Sequence, residues 1–147
     1  MEKLTLKVLR ADPRIPLPEY QTEGAAGMDI RAFLENELTI PPLGRAKVPT
    51  GLKIEIPPGY EGQIRPRSGL AVKFGLTVLN SPGTIDSDYR GDIEVILINF
   101  GTESIIIKDG ERIAQLLITP VCRVQLEAAT AINDTNRGSG GFGSTGL

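Results

Sequence analysis

Residues 93–99 read IEVILIN and residues 52–56 read LKIEI. Both alternate apolar and polar side chains with period two, the pattern of a strand with one buried face rather than of a helix. Outward from these two runs, short apolar segments recur between PPLG (41–44), PPGY (57–60), NSPG (80–83) and KDGE (108–111). Such Gly/Pro clusters are turn signals, and the chain carries 17 glycines and 11 prolines to supply them. Strands are predicted at 5–9, 28–32, 46–49, 52–56, 62–65, 76–80, 92–99, 104–107, 112–119 and 124–126. Many short strands at this spacing indicate an all-β, jelly-roll-like domain.

The length of 147 residues fits one core. Residues 1–135 are expected to form that single domain, and 136–147, NRGSGGFGSTGL, a mobile glycine-rich arm without the apolar content to pack. One short helix is predicted in SGLAVKFG (68–75), with Ser68 as N-cap and Gly75 just past its end. Such a start presents unpaired N–H groups to an anion.

Charge and missing residue types restrict the chemistry. A net charge of −2 argues against affinity built on neutralising a nucleic-acid backbone. With no histidine in the chain, Ser-His-Asp and Cys-His nucleophiles, imidazole bases and histidine-held metals are all excluded. The base must be a carboxylate, Lys or Tyr. Cys122 is the single cysteine, so it makes neither an internal disulfide nor a thiolate zinc site, and its apolar setting, LLITPVCRV, predicts burial. The opening MEKLTLKVLRADP lacks an apolar signal core, and no long apolar run occurs, so a cytoplasmic protein without a membrane partner is expected.

Four segments carry candidate chemistry. IDSDYRGD (85–92) groups Asp86, Asp88 and Asp92 but fails the calcium-loop pattern, with Arg90 at its fifth position and Leu97 where the bidentate Glu belongs. Ahead of it, Pro82, preset in φ, and Gly83, free to take positive φ, predict a tight turn that aims the Asp86 carboxylate. RPRSGL (65–70) places Arg65, Arg67, Ser68 and Gly69 at the helix start, a composition suited to polyphosphate. AAGMDIRA (25–32) sets Asp29 in a strand where it needs a partner, for which Arg112 is the candidate, and Gln115 is a polar residue on an otherwise apolar strand. The tail has G-x-G-x-x-G spacing at Gly138, Gly140 and Gly143, but no strand precedes it, no helix follows and Ser144 holds the P-loop lysine position. Arg137 and Phe142 within it suit a lid over a phosphorylated aromatic ligand.

The order and spacing of AAGMDIRA, RPRSGLAVKFG, LNSPGTIDSDYRGDIEV, DGERIAQLLI and NRGSGGFGSTG closely resemble the trimeric deoxyuridine triphosphatase family. The resemblance implies a distorted jelly-roll or β-clip-like homotrimer whose active sites are shared between subunits. It implies hydrolysis of dUTP to dUMP and diphosphate, with Mg2+ bound by the triphosphate; this limits uracil in DNA and supplies dUMP for dTMP synthesis. Asp86 then matches the base that activates water and holds the 3′-hydroxyl, and Gln115 the glutamine that helps hold that water. Tyr89 matches the wall that excludes a ribose 2′-hydroxyl; Asn80 and the backbone of Gly83, Thr84, Ile85 and Asp86 match the uracil-pairing hairpin. Arg67, Ser68 and Gly69 match the phosphate segment of a neighbouring subunit. Arg137 matches the γ-phosphate contact, Phe142 the ring stacked on uracil, and Gly143, Ser144 and Thr145 the rest of the tail's grip. Asp29 corresponds to an aspartate serving either the metal's outer sphere or structural hydrogen bonds. A dCTP deaminase of the same fold is the nearest rival, but it uses a glutamate base and lacks the tyrosine of IDSDYRG. A non-enzymatic jelly-roll module and a single-strand nucleic-acid binder fit less well, the latter for want of a basic, aromatic groove.

Overall fold

The computed structural model describes residues 3–146; residues 1, 2 and 147, which close the two expected spans, lie outside the described residues. Ten strands and one helix follow in the order β1 (Lys7–Arg10), β2 (Met28–Arg31), β3 (Leu38–Ile40), β4 (Arg45–Glu55), β5 (Tyr60–Arg65), α1 (Ser68–Phe74), β6 (Leu76–Val78), β7 (Gly83–Ile85), β8 (Ile93–Asn99), β9 (Ile105–Ile107) and β10 (Arg112–Pro120). One sheet is ordered β1-β4-β8-β6, a second β2-β10-β5-β7, and β3-β9 form a two-stranded ribbon. Every pairing is antiparallel. The all-β, jelly-roll-like expectation holds.

β8 explains the packing. Ile93, Val95 and Leu97 alternate inward and are almost wholly buried, against Val48, Leu52 and Ile54 of β4. From the second sheet Ile30, Ile64, Ile113 and Leu116 meet them. Each such side chain contributes about 1.5–3 kcal/mol on leaving water. Asn99 ends β8 inside this core, and all its polar atoms are satisfied: Nδ2 donates to Ile40 O (2.9 Å) and Glu103 O (2.8 Å), and Oδ1 accepts from Gly101 N (2.8 Å).

Several elements differ from the sequence reading, each for a local reason. Segments 46–49 and 52–56 are one strand, because a register shift between Pro49 and Leu52 absorbs Thr50 and Gly51 as a bulge instead of a turn. Gly51 takes φ 69°, and the buried Thr50 hydroxyl donates to Ile93 O at 2.6 Å. Three-residue β3 and β7 escaped prediction. Segment 124–126 is not a strand, since the chain leaves the sheet at Pro120 and finds no ladder beyond it. For the same reason Cys122 is exposed, not buried.

The helix is where expected, but its N-cap is Arg67, in extended geometry and without a side-chain capping bond, while Ser68 is already the first helical residue. Gly75 closes it at φ 69°, and a Cβ there would lie 2.6 Å from Gly101 N, so both conformation and packing require glycine. Gly83 is not at positive φ; it lies in β7, and the turn before it contains a cis Ser81–Pro82 peptide. No helix among the described residues is long and apolar enough to cross a membrane.

Candidate active site

β7 is a three-residue strand at the edge of the second sheet. It pairs with β5 in the register Gly62↔Ile85, Gln63↔Thr84, Ile64↔Gly83. Ile85 and Gly83 face inward, so Ile85 offers only its backbone, whereas Thr84 and Asp86 are exposed. A Cβ on Gly83 would stand 3.3 Å from Ile64 Cβ and 3.4 Å from the Asn80 side-chain nitrogen, a crowding that keeps this position small. Asn80 thus lies against the start of β7.

After β7 the chain turns through Asp86–Asp92. Tyr89 N donates to Asp86 O at 3.1 Å, and the Tyr89 hydroxyl donates to Asp92 O at 2.9 Å. The ring therefore lies across Gly91, where a Cβ would be 2.3 Å from the Tyr89 hydroxyl oxygen; any side chain at 91 displaces the ring. Arg90 Nη1 donates to Ser87 O (2.7 Å) and Tyr89 O (3.1 Å). The recess beside the turn, of about 240 Å³, is lined by Thr84, Asp86, Tyr89 and Asp92 together with Lys47 and Glu94. An exposed carboxylate beside an aromatic wall is thereby fixed in a turn that belongs to no strand. Arg90 and Gly91 carry no site signal in the sequence, because their contacts, of Arg90 with backbone carbonyls and Glu55 and of Gly91 with the Tyr89 ring, exist only in the folded turn.

A second group of predicted residues gathers elsewhere. Asp29 on β2 lies between two flanking guanidiniums: Oδ2 accepts from Arg112 Nη1 at 3.1 Å, and Oδ1 makes an ion pair with Arg67 Nε at 3.4 Å. The expected Arg112 partner is present, and Arg67 is a second. Arg67 Nη1 also donates to Arg112 O at 3.3 Å. Gln115 Nε2 donates to Pro66 O at 3.0 Å, which ties β10 to the segment leading into α1. Gly27 makes room for this, since a Cβ there would be 2.4 Å from Gln115 Oε1. Arg67, Ser68, Gly69, Gln115 and Asp29 are thus one local cluster around the RPRSGL turn. Among the described residues no group of three acidic or cysteine side chains is placed to hold a metal ion.

The two groups are not brought together within the chain. Gln115 faces Arg65 across β5, whereas Ile85 faces Gly62 on its other edge. Ile85, the residue before Asp86, and Gln115 thus stand three rungs apart along β5, about 10 Å, on strands paired to its opposite edges. One water cannot bridge that span. The arm forms a third group: Arg137 Nε donates to Gly140 O at 2.8 Å, Gly140 N to Arg137 O at 3.2 Å and Ser144 N to Gly141 O at 3.1 Å. Phe142 is fully exposed, at φ 53°, followed by Gly143 at φ 83°; Ser144 and Thr145 are exposed too.

The dUTPase family profile matches residues 13–146. The deoxyuridine 5′-triphosphate nucleotidohydrolase of Bdellovibrio bacteriovorus is 53% identical over 147 residues and covers 99% of both chains. The protein of the same description from Rhizobium etli is 56% identical over 135 residues, 90% of this chain and 86% of its own. Among solved structures, the dUTPase of Staphylococcus bacteriophage 80alpha with dUPNHPP matches with a TM-score of 0.88 at 27% identity, over 99% of this chain and 100% of that one.

Proposed function

The chain belongs to the dUTPase family, and from that premise we propose that it hydrolyses dUTP to dUMP and diphosphate at sites assembled from more than one copy of the chain. The observation that carries the reading is the Asp86–Asp92 turn: a solvent-facing carboxylate and a tyrosine ring fixed side by side at an open recess. In a chain without histidine, Asp86 is the base for water attacking the α-phosphorus, a role worth about 10²–10⁴ in rate. Its exposure suits it to draw a proton from a solvent-derived nucleophile. The Tyr89 ring, immobilised through Asp92 O and Gly91, closes the sugar side against a 2′-hydroxyl. Asn80 and the β7 backbone from Gly83 to Asp86 read the uracil edge; a cytosine there leaves buried donors and acceptors unpaired, a mismatch that costs up to about 10⁴–10⁵ in specificity.

The phosphate chain is received by Arg67, Ser68 and Gly69, with Gln115 supporting the water. The separation of the β7 end from Gln115, three rungs along β5 and on opposite edges of it, supports placing these groups on a neighbouring copy, consistent with a homotrimer whose sites lie between subunits. Arg137, Phe142, Gly143, Ser144 and Thr145 close the site as the arm folds over bound nucleotide.

The donor set fits a Mg2+ carried by the triphosphate better than one held by protein. Asp29 has both carboxylate oxygens engaged by Arg67 and Arg112, which supports a structural role for it over an outer-sphere one. When bound, the ion supplies charge neutralisation on the triphosphate. Positioning and charge stabilisation by Arg67 and Arg137 do the rest. With no nucleic-acid or membrane partner proposed, the setting is cytoplasmic nucleotide metabolism.

Diphosphate release from dUTP, dCTP, dTTP and UTP in parallel, with Mg2+ and with chelator, tests the reading. Release from dUTP alone, reduced by chelation, is expected. Ammonia from dCTP, or no reaction with any of the four, refutes it.

A further inference from the structure

We propose that Arg90 is a positioning residue for the hydrolytic turn, a guanidinium strut that fixes Asp86 and Tyr89 relative to the β1-β4 edge. The role rests on the assignment of Asp86 as base and Tyr89 as sugar wall.

Three observations meet at this side chain. Nη1 closes on the carbonyls of Ser87 and Tyr89, at 2.7 and 3.1 Å, and so clasps the backbone on both sides of Asp88. Nη2 lies 3.4 Å from Glu55 Oε1, at the end of β4. Glu55 is in turn held by Lys7, 3.0 Å away and its register partner on β1. The Lys7 ammonium, more than Arg90, keeps the Glu55 carboxyl below the usual glutamate range, so the anchor stays anionic near neutrality. The other bonds that shape the turn among the described residues, Tyr89 N to Asp86 O and Tyr89 hydroxyl to Asp92 O, run within it and make no side-chain tie to β4. The guanidinium supplies that tie, 35 residues away in sequence.

The group is no stability device. Arg90 and Glu55 side chains are 54% and 44% exposed, and ion pairs at such exposure contribute little to folding. Position is another matter, because a displacement of about 1 Å at reacting groups can cost about 10² in rate. Arginine is required, since its planar fork serves two carbonyls and a carboxylate at once, whereas a lysine ammonium on a flexible stem cannot span them.

The test compares Arg90→Ala, Arg90→Lys and Glu55→Gln with the parent and with Asp86→Asn, by dUTP and UTP kinetics and thermal unfolding. Arg90→Ala is expected to lower kcat on dUTP by about tenfold or more, to narrow dUTP preference over UTP, and to leave Tm near the parental value. Arg90→Lys recovers only part of the loss, and Glu55→Gln gives a smaller loss of the same kind. Adding Glu55→Gln to Arg90→Ala costs nothing further, because the second change breaks a strut already gone. If Asp86→Asn collapses turnover while Arg90→Ala keeps parental kcat and selectivity, the strut is refuted and the base assignment stands. If Asp86→Asn also turns over normally, the assignment of the turn is wrong and the Arg90 role falls with it. Should Arg90→Ala not fold, Glu55→Gln decides: unchanged kcat and selectivity there overturn the proposal.

Discussion

Replacing Asp29 with alanine removes the single carboxylate between two guanidiniums at the proposed phosphate segment. The Asp29 side chain is 16% exposed, and those of Arg67 and Arg112 are 28% and 39% exposed. Breaking a fully buried pair costs about 3–5 kcal/mol, and an exposed pair contributes about 0–1 kcal/mol. These half-buried contacts fall between, at about 2 kcal/mol. In a chain of this length each kcal/mol moves Tm by about 2–4 °C, so Asp29→Ala lowers Tm by about 4–8 °C. The kinetic consequence is separate: Arg67 loses its orienting partner, and KM for dUTP rises more than kcat falls. Scanning calorimetry at matched protein concentration, which keeps assembly equilibria equal, reads the first. Steady-state diphosphate release reads the second. An Asp29→Ala protein that melts with the parent and binds dUTP with unchanged KM refutes the claim that this carboxylate organises the RPRSGL turn.

Truncation before Arg137 removes an arm that is strand-free and mostly exposed over residues 137–146, so Tm is expected to stay within a few degrees of the parent while turnover collapses; a large Tm loss by calorimetry makes the arm structural instead. Leu43 is held at φ 63° with its side chain in solvent, so Leu43→Asn, which tolerates that region, raises stability by up to about 1 kcal/mol in urea unfolding; a decrease contradicts the strain argument. Arg14 holds the Asp12 carboxyl at about 2, first through side-chain and then backbone hydrogen bonds. A depressed folded pKa stabilises above the unfolded value and is lost as pH falls, so the Tm advantage over Asp12→Asn disappears between pH about 4 and about 2. An advantage that persists below that window contradicts the pairing.

What the sequence made legible follows physical range. IEVILIN became β8, and LKIEI the end of β4, because period-two alternation is a local signature of a half-buried strand. Leu38–Ile40 and Gly83–Ile85 were not visible: three residues carry no period, and their ladders are completed by Ile105–Ile107 and Gly62–Ile64, distant in sequence. Apolarity misled at Cys122 and at 124–126, since an apolar residue announces burial without saying where, and these lie beyond the last ladder at Pro120. In the site, the absence of histidine left a carboxylate, Lys or Tyr as base and the family resemblance pointed to Asp86; the pairing of Asp29 with Arg112 was expected, whereas Arg67 as Asp29's second partner, Gln115 on Pro66 O and the Arg90 clasp emerge only from tertiary contacts.

Mixing two inactive variants tests the shared site most directly. Asp86→Asn and Gln115→Ala chains, each inactive alone, are unfolded, combined in equal amounts and refolded together. A site drawing Asp86 from one copy and Gln115 from another is intact when an unaltered Asp86 meets an unaltered Gln115, so random assortment restores about one quarter of parental activity. Activity that stays at the level of the separate variants, in a mixture shown to have exchanged subunits, places both residues in one chain's site and contradicts the account.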